Sequence, residues 1–309
     1  MKEEKAMKKI CAVIVTYNRP ELLCRCVEKL LAQDHPLDIL IYDNHSTKDT
    51  KAMLSEKGLL NERVTFYYAE SNTGGSGGFY NGMEMLVKKD YDALWLMDDD
   101  GYPISANTLS AIIDVWKRLG YENKCILNSL VVCDENTLKL SFSMDREFDG
   151  RKMRERAENG LLKDLNSPFN GTFVPVNLAR KIGYPMKEFF VYGDETEYML
   201  RAKSAGATIY TVVDSLYFHP TMVCKTKKFF GRELAVSNFP LWKTYCMARN
   251  SVFYYKKYFG SASVIKRIAR LYIECILADS RKGQLFRETT RGILDGYKAN
   301  FNKKLDLSR

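Results

Sequence analysis

The sequence lacks the long apolar runs that membrane-spanning and exported proteins carry. No stretch approaches the roughly 20 apolar residues that a membrane-spanning helix needs. The charged residues 1–9 are followed by an apolar run of only six residues, Ile10 to Val15, which is too short for the core of a signal peptide. We therefore expect neither a membrane span nor an export signal.

The eight cysteines lack the spacing of a metal-binding or disulfide-bonded module. Cys24 and Cys26 are separated by a single residue and have no second pair that would complete a zinc knuckle. Most of the others lie inside apolar segments, as buried thiols do. Without an export signal, this usage predicts reduced cysteines in a cytosolic protein.

Two common nucleotide-binding patterns are absent as well. The glycine-rich stretch Asn72–Phe79 follows the third predicted strand instead of the first, and it does not match the G-x-G-x-x-G fingerprint of dinucleotide-binding proteins. No Gly-Lys-Ser or Gly-Lys-Thr follows it, so the phosphate-binding loop of ATPases is missing too. These absences argue against hydride transfer and ATP hydrolysis.

The chain is long and apolar enough to bury a full core. It has 309 residues, of which 46% are hydrophobic and 12% aromatic, as in a folded globular protein. We find no internal repeat and no low-complexity linker. One large domain with an appendage is the expectation for this length.

The net charge of +9 is spread unevenly along the chain. Residues 221–309 carry 19 Lys and Arg against 6 Asp and Glu, so that the first 220 residues are slightly acidic. The basic C-terminal part therefore predicts a surface for an anionic partner. Nucleic acid, anionic lipid and a phosphorylated substrate are all candidates at this stage.

Strands and helices alternate in the first part of the chain. This alternation predicts an α/β fold with a doubly wound, mostly parallel sheet. Predicted strands cover residues 10–15, 38–42, 64–68 and 91–97, and predicted helices cover 20–33, a segment around Met53 and Leu54 that Ser46 or Thr47 caps, and 77–88.

The pattern loosens after Asp100. Residues 134–166 are charged and irregular and predict an excursion over the surface, and beyond Pro220 we expect only helices. The predicted strands here are 125–133, 169–176 and 208–213, and the predicted helices are 107–119, 195–205, 239–258, 262–279 and 284–301.

Polar motifs follow each of the first four predicted strands, where the crevice of an open α/β sheet lies. They are Thr16-Tyr-Asn-Arg19, Asp43-Asn-His-Ser-Thr47, Asn72–Phe79 and Asp98-Asp-Asp100. Each of the first three also occurs in ordinary turns. Three adjacent carboxylates repel one another unless a cation lies between them, so Asp98–Asp100 predicts a divalent metal site.

In this order the four motifs resemble those of the family-two inverting glycosyltransferases of GT-A fold. The Gly-Gly-Ser-Gly-Gly-Phe stretch and the triple Asp are most similar to the bacterial galactofuranosyltransferase and rhamnosyltransferase branch. The resemblance covers about residues 8–255. The change in charge and pattern near residue 220 predicts a domain boundary there. We expect a catalytic domain over 1–220, with a donor half of about 8–100 and an acceptor half of about 101–220, and a basic helical region over 221–309.

The resemblance implies roles for the matching residues. Asp98 and Asp100 would hold Mn²⁺ or Mg²⁺ on the diphosphate of the donor, with His219 as third ligand, and Asp99 would contact the donor ribose or sugar. Imidazole beside two carboxylates suits Mn²⁺ better than Mg²⁺. The remaining donor-binding residues would be Thr16, Asn18, Arg19, Asp43, Asn72, Gly75, Ser76 and Gly77.

An inverting displacement also needs a base for the acceptor hydroxyl. The stretch Tyr192-Gly-Asp-Glu195 is similar to the acidic pair of the family, and by alignment Glu195 would be the base, with Asp194 as a rival. As an alternative, both acids simply stabilise the first turn of a helix. Arg249, in a Tyr-x-x-x-Arg-Asn motif, would reach the diphosphate or an anionic acceptor, or else pack its helix.

The function predicted from the sequence is transfer of a sugar, with UDP-galactofuranose or dTDP-rhamnose as donor, to a hydroxyl of a cell-surface glycan or lipid-linked acceptor. The alternatives are a non-catalytic sugar-nucleotide-binding scaffold and a sugar nucleotidyltransferase. Aromatic and basic residues interleave in the C-terminal region, which favours an anionic membrane surface over nucleic acid as its partner. A subunit contact in a homo-oligomer is the other interpretation. The expected location is the cytoplasm, at the inner face of the membrane.

Overall fold

The computed structural model describes residues 7–142, 149–164, 168–221, 225–236, 239–302 and 305. Eleven strands occur among them: β1 (Ile10–Thr16), β2 (Asp38–Asp43), β3 (Val64–Tyr68), β4 (Ala93–Asp98), β5 (Tyr102–Pro103), β6 (Cys125–Val132), β7 (Leu161–Lys163), β8 (Asn170–Pro175), β9 (Thr208–Phe218), β10 (Lys225–Phe229) and β11 (Arg232–Val236). The helices are α1 (Pro20–Leu31), α2 (Thr50–Glu56), α3 (Gly74–Leu86), α4 (Thr108–Arg118), α5 (Gly150–Arg156), α6 (Val176–Ile182), α7 (Asp194–Ser204), α8 (Leu241–Tyr258), α9 (Ser261–Leu277) and α10 (Lys282–Tyr297).

Nine of the strands form one sheet in the order β3-β2-β1-β4-β8-β6-β9-β5, with β7 paired to β9. The pairs among β3, β2, β1 and β4 are all parallel, and β8 runs antiparallel to β4. The carboxyl ends of these four parallel strands therefore meet at one edge of the sheet. The predicted α/β fold with a mostly parallel sheet is confirmed.

Helices cover both faces of the sheet, as a doubly wound fold requires. In β1, Ile10 and Ile14 pack with α1 and α4 on one face, while Val13 and Val15 pack with α3 on the other. The strand is buried throughout, which explains its continuous apolar sequence.

The sequence prediction was wrong in four places. Residues 225–236 form the hairpin β10–β11 instead of helix, because Phe230 and Gly231 both have positive φ and make a tight turn between two paired strands. Strand β9 extends to Phe218, and α6 was not predicted. Helix α2 is capped by Asp49, which accepts a hydrogen bond from the Ala52 amide, and not by Ser46 or Thr47.

The predicted excursion over 134–166 contains α5 and β7, while its residues 143–148 and 165–166 lie outside the described part of the chain. Seven cysteines are described, and all are free thiols. Burial raises the pKa of Cys11 and of Cys125 to about 12.

Helices α8, α9 and α10 pack on one another around two hydrophobic clusters that are separate from those of the sheet. One of them contains Val252, Leu271 and Ile293. No helix among the described residues is both long and apolar enough to cross a membrane. The domain boundary near residue 220 stays a prediction.

Candidate active site

The carboxyl ends of β1, β2 and β4 bring the polar motifs together. Thr16 lies beside Asp43 in the register of β1 and β2, and Val15 lies beside Asp98 in that of β1 and β4. A cleft of about 480 Å³ opens in front of this edge. Of the predicted site residues, those that line it are Arg19, Gly75, Ser76, Asp98, Asp100, Asp194, Glu195 and His219.

Asp98, Asp100 and His219 form a group that could hold a metal ion. Each offers one ligand atom, and these atoms all lie within 4.8 Å of one another. His219 follows directly after β9, and its Nε2 is 3.2 Å from Oδ1 of Asp100. Two carboxylates and an imidazole make a ligand set that suits Mn²⁺ and related divalent ions.

The second nitrogen of His219 fixes the orientation of the ring. Nδ1 lies 2.7 Å from the carbonyl oxygen of Pro220, and since a carbonyl only accepts, Nδ1 must carry the proton. Nε2 is thereby turned toward Asp100, as the nitrogen that could bind a cation, in the arrangement by which metal-binding histidines are usually oriented.

The electrostatics of Asp98–Asp100, here called the acidic segment, favour a bound cation. Burial raises the pKa of Asp98 well above its usual value, and the neighbouring carboxylates of Asp100 and Asp99 raise it further. Burial acts in the same direction on Asp100, but His219 and Arg19 outweigh it and lower the pKa of Asp100. A divalent ion between Asp98 and Asp100 would relieve this repulsion.

Asp99 does not line the cleft. Its Oδ2 accepts a hydrogen bond of 2.7 Å from the Thr16 hydroxyl, and Nη1 of Arg19 lies 3.2 Å from its Oδ1. Asp99 and Thr16 are both almost fully buried. These contacts join β1 to β4 beneath the cleft, and the structure does not bring either side chain to the cleft wall, where the resemblance had placed a donor contact.

Asp43 and Asn18 organise the loop after β2. Oδ1 of Asp43 accepts from the Ser46 amide, while its buried Oδ2 has no hydrogen-bond partner among the described residues. Oδ1 of Asn18 accepts from the Thr47 amide at 2.8 Å. Asn18 therefore fastens the loop after β1 to the loop after β2 and does not line the cleft, whereas Asp43 keeps an unsatisfied acceptor.

The glycines of Asn72–Phe79 belong to the first turns of α3 and serve two purposes. A Cβ on Gly78 would lie 2.5 Å from Val15, so this glycine allows α3 to pack closely on β1. One on Gly77 would lie 2.5 Å from Thr73. Gly75 has open space around the Cβ position and lines the cleft, so its backbone is the one open to a ligand.

Asn72 acts on this same turn. Its Oδ1 accepts from the Gly74 amide at 2.9 Å and from Nδ2 of Asn44 at 3.1 Å. Asn44, which we did not select from the sequence, is buried and also accepts a hydrogen bond from the Thr73 amide. The signal that could have identified Asn44 in the sequence is its position directly after Asp43 in the second polar motif.

The acidic pair begins α7, directly after Gly193, whose φ is 84°. Asp194 and Glu195 both line the cleft opposite the acidic segment. Burial raises the pKa of Glu195 well above its usual value, and Asp194 adds to the shift. Burial also raises the pKa of Asp194. A carboxylate with a raised pKa in a cleft has the properties of a general base.

The structure places Arg249 outside the cleft, against the backbone of Glu188 and Phe189. The side chain is 1% exposed, and its guanidinium donates hydrogen bonds to the carbonyl oxygens of Glu188 and Phe189. It does not line the cleft. These contacts favour the alternative interpretation, in which Arg249 packs its helix, over a contact with the donor diphosphate.

Three further residues near the cleft were not selected from the sequence. The ring of Phe142 lies 4.9 Å from that of His219, and Tyr192 forms part of the wall. Lys243 does not line the cleft, but its ammonium lies 5.8 Å from the Tyr192 ring. Burial and the Arg19 cation lower the pKa of Lys243. Nothing in the spacing of the sequence pointed to Phe142, whereas Tyr192 stands two residues before the acidic pair in the stretch already singled out.

Comparison of the sequence with known proteins found a matching family model and similar relatives. The sequence model described as Glycosyl transferase family 2 matches residues 11–176, which is more than half of the chain. The chain is 28% identical over 229 residues to galactofuranosyltransferase GlfT1 of Mycolicibacterium smegmatis, a match that covers 71% of this chain and 72% of that protein.

Two solved structures show that the fold is that of GT-A glycosyltransferases. GalNAc-T7 with UDP, GalNAc and Mn²⁺ aligns with a TM-score of 0.61 at 14% identity, over 98% of this chain and 59% of that chain. The mannosyltransferase PcManGT from Pyrobaculum calidifontis, in complex with GDP-Man and Mn²⁺, aligns with a TM-score of 0.52 at 14% identity, over 96% of this chain and 87% of that chain.

Proposed function

The chain belongs to glycosyl transferase family 2, and on that premise we propose that it is a metal-dependent inverting glycosyltransferase that uses a nucleotide-diphospho-sugar. One observation carries the proposal. Asp98, Asp100 and His219 line the same cleft as Asp194 and Glu195, so a group that could hold a metal ion and a pair of acids share one cleft of about 480 Å³.

Asp98, Asp100 and His219 would hold Mn²⁺ or Mg²⁺. When bound, the ion would supply positive charge that stabilises the departing nucleoside diphosphate. Arg19, whose guanidinium lies 2.7 Å from Oδ2 of Asp100, adds positive charge at the cleft. GalNAc-T7 and PcManGT, which share the fold, contain Mn²⁺ with a nucleotide in their solved structures.

Glu195 would take the proton of the acceptor hydroxyl as that oxygen attacks the anomeric carbon of the sugar. Its raised pKa makes it a stronger base than an ordinary carboxylate. Asp194 remains the rival because it lines the same cleft and shares the same helix turn. Asp98 also contributes to the raised pKa of Glu195, in line with the two carboxylates lining one cleft.

The donor would lie along the carboxyl edge of β1, β2 and β4. Asp43, with its unsatisfied buried Oδ2, is the candidate for the nucleoside, and Gly75 and Ser76 are the candidates for the phosphates. Thr16, Asn18, Asn72, Gly77 and Asp99 would act through the contacts that shape this edge and the first turns of α3.

The donor sugar is proposed to be galactofuranose carried on UDP. Identity of 28% to a galactofuranosyltransferase over most of both chains supports this choice over dTDP-rhamnose. The acceptor would be a hydroxyl of a cell-surface glycan or of a lipid-linked intermediate.

We propose further that the C-terminal region contacts an anionic membrane surface from the cytoplasmic side. Helix α9 exposes Ile265, at 68%, and Ile276, at 49%, along one side. At the tip of the β10–β11 hairpin, Phe230 is 92% exposed and stands two residues after Lys228. Apolar side chains flanked by lysines suit an interface of lipid headgroups. A twofold contact between two copies would bring like charges together, which disfavours a homo-oligomer at this surface.

The first test is donor binding and hydrolysis by the purified protein, with a panel of nucleotide sugars in Mn²⁺, Mg²⁺ or EDTA. We expect metal-dependent binding and slow hydrolysis of UDP-galactofuranose, and loss of both in Asp100→Ala. Normal donor binding without transfer to any acceptor would favour the scaffold alternative. Release of pyrophosphate from a nucleoside triphosphate and a sugar phosphate would identify a nucleotidyltransferase, and no binding at all would refute the proposal.

A further inference from the structure

Residues 188–193, here called the bridging segment, connect the two sides of the cleft. Val191 and Tyr192 line the cleft, and Gly193 leads directly into the acidic pair of α7. On the donor side, the carbonyl oxygen of Phe190 accepts a hydrogen bond of 3.1 Å from the Ser76 amide. A Cβ on Gly74 would lie 2.0 Å from the same oxygen, so only glycine allows this approach.

The backbone of the bridging segment is strained. Phe190 and Tyr192 both have a φ of 65°, in the left-handed region that bulky side chains rarely adopt, and Gly193 follows with a φ of 84°. Each such residue other than glycine costs about 1–3 kcal/mol and persists only where the surrounding structure enforces it. The segment therefore needs support from outside itself.

That support comes from two adjacent residues of α8. Nδ2 of Asn250 donates to the carbonyl oxygens of Phe189 at 3.0 Å, Val191 at 2.9 Å and Tyr192 at 2.8 Å. Nη2 of Arg249 donates to the carbonyl oxygens of Glu188 at 2.9 Å and Phe189 at 3.0 Å.

Contacts within and behind the pair fix its geometry. Nε of Arg249 donates to Oδ1 of Asn250 at 2.9 Å, which turns the amide nitrogen of Asn250 toward the segment. Both side chains are 1% exposed. Helix α10 packs closely behind them, since a Cβ on Gly296 would lie 2.1 Å from the Arg249 carbonyl oxygen.

We propose that Arg249 and Asn250 are positioning residues for glycosyl transfer. They hold the bridging segment in its strained conformation, and thereby set the carboxylates of Asp194 and Glu195 against the donor-binding turn of α3. Neither side chain touches the cleft, so their effect passes through the segment. This inference rests on the proposed function, and it gives the C-terminal helices a part in catalysis.

The variant that tests the proposal is Asn250→Ala, with Ser251→Ala as its matched control. Ser251 is also buried on α8, but its hydroxyl donates to the Ala248 carbonyl and accepts from Arg267, and it makes no hydrogen bond to the bridging segment among the described residues. Arg249→Lys is a second, milder variant, because a lysine keeps the charge and loses the planar fork that spans two carbonyls and Asn250.

Four quantities are measured for each protein: kcat for transfer from UDP-galactofuranose, the Kd of UDP with Mn²⁺, the pH profile of kcat, and amide hydrogen exchange over 188–195. We expect Asn250→Ala to lower kcat about 100-fold, since a shift of about 1 Å at a reacting group has an effect of that size. The Kd of UDP should change by less than about threefold, because the donor-binding residues stay in place.

The acid limb of the pH profile should also move in Asn250→Ala, because the surroundings of Glu195 change, and exchange over 188–195 should become faster. Arg249→Lys should show the same pattern to a smaller degree, and Ser251→Ala should resemble the wild type. A folded Asn250→Ala with wild-type kcat, or one whose UDP affinity falls as much as its kcat, would overturn the positioning role while leaving the proposed function intact. A wild-type protein that neither binds UDP nor transfers a sugar would instead refute the function, and this inference with it.

Discussion

Asp100 and His219 are more than a hundred residues apart in the sequence, yet their side chains lie 3.2 Å from each other at the sheet edge. Their separate motifs were recognisable, because three consecutive acids after a buried strand and a histidine after a late strand are both unusual. Nothing in either motif fixes the distance between them. That distance depends on β9 extending to Phe218, which carries His219 toward the acidic segment.

The proposed metal ligands give the first prediction. Replacing His219 or Asp100 by Ala should lower transfer about 100-fold or more, because charge on the departing diphosphate is then less stabilised. Titration of activity with Mn²⁺ should show a weaker apparent affinity for the metal in both variants.

His35→Ala is the matched control, since His35 bonds to the Lys8 carbonyl and lies outside the cleft. Unchanged Mn²⁺ dependence in His219→Ala would exclude this histidine as a ligand.

The acidic pair gives the second prediction, which concerns pH. A base works only when ionised, and burial together with Asp194 raises the pKa of Glu195. Activity should therefore be lost as the pH falls through this raised pKa, at a pH higher than the ordinary glutamate value of about 4.3. Glu195→Gln should lower kcat by about 10²- to 10⁴-fold and abolish this limb of the profile.

The variant Asp194→Asn tests whether Asp194, instead of Glu195, is the base. If Glu195→Gln keeps most of the activity while Asp194→Asn loses it, together with the acid limb, then Asp194 is the base. The measurement in each case is kcat against pH at saturating donor and metal.

At the scale of elements, α3 shows how one glycine-rich stretch serves two purposes. The resemblance found in the sequence assigned Gly75 and Gly77 of this stretch to donor binding. In the structure, Gly78 and Gly82 instead allow the helix to lie directly on Val15 and Val13 of β1, and Gly75 is the one that faces the cleft with open space. A single sequence does not distinguish the two uses, because both need an absent side chain.

Two alanine substitutions in α3 give the third prediction. Gly78→Ala should lower the free energy of unfolding by about 1–3 kcal/mol, because its Cβ would overlap Val15. Gly75→Ala should leave stability unchanged or raise it by up to about 1 kcal/mol, since alanine is the better helix former. Its added methyl group should nevertheless weaken binding of UDP with Mn²⁺.

Urea unfolding and UDP titration on both variants test whether Gly78 serves packing and Gly75 serves ligand binding. Equal loss of stability in the two, or unchanged UDP affinity in Gly75→Ala, would contradict the separate roles.

The β10–β11 hairpin is an element for which the sequence prediction failed. Its strand Lys225–Phe229 is rich in lysine and only partly buried, so it lacks the apolar alternation by which strands are recognised. Strand β10 pairs with β11, and Lys225 and Lys227 contact Asp279. The contacts with Asp279 join residues more than 50 positions apart in the chain and leave no local pattern.

At the scale of the whole molecule, the uneven charge gives the fourth prediction. The protein should float with vesicles that contain phosphatidylglycerol and not with vesicles of phosphatidylcholine alone, because residues 221–309 are strongly basic. Raising the salt concentration should weaken this binding, since screening reduces the attraction.

The double variant Ile265→Asp/Ile276→Asp removes the exposed apolar side chains of α9 and should reduce flotation several-fold. Leu22→Asp is the matched control, because Leu22 is 42% exposed on α1, outside the basic region. Absence of wild-type flotation with anionic vesicles would refute the membrane proposal without affecting the transferase proposal.

Arg249 shows most clearly what the sequence left open. Its motif was found, and two roles were considered, contact with an anionic group or packing of its helix. The structure buries the guanidinium against the backbone of the bridging segment, because α8 returns to the catalytic domain at that point. The path of α8 depends on its packing against α10, which the sequence does not reveal.

The sequence by itself determined the alternating α/β fold and the polar motifs at the carboxyl ends of β1, β2 and β4. It could do so because hydrophobic periodicity and local motifs are properties of short segments. The resemblance to a known family added His219 as a candidate metal ligand and the acidic pair as the candidate base. Only the tertiary structure decided which of these side chains face the cleft, which fasten one loop to another, and how the C-terminal helices support the acidic pair. These outcomes depend on contacts between residues far apart in the chain, which no local pattern encodes.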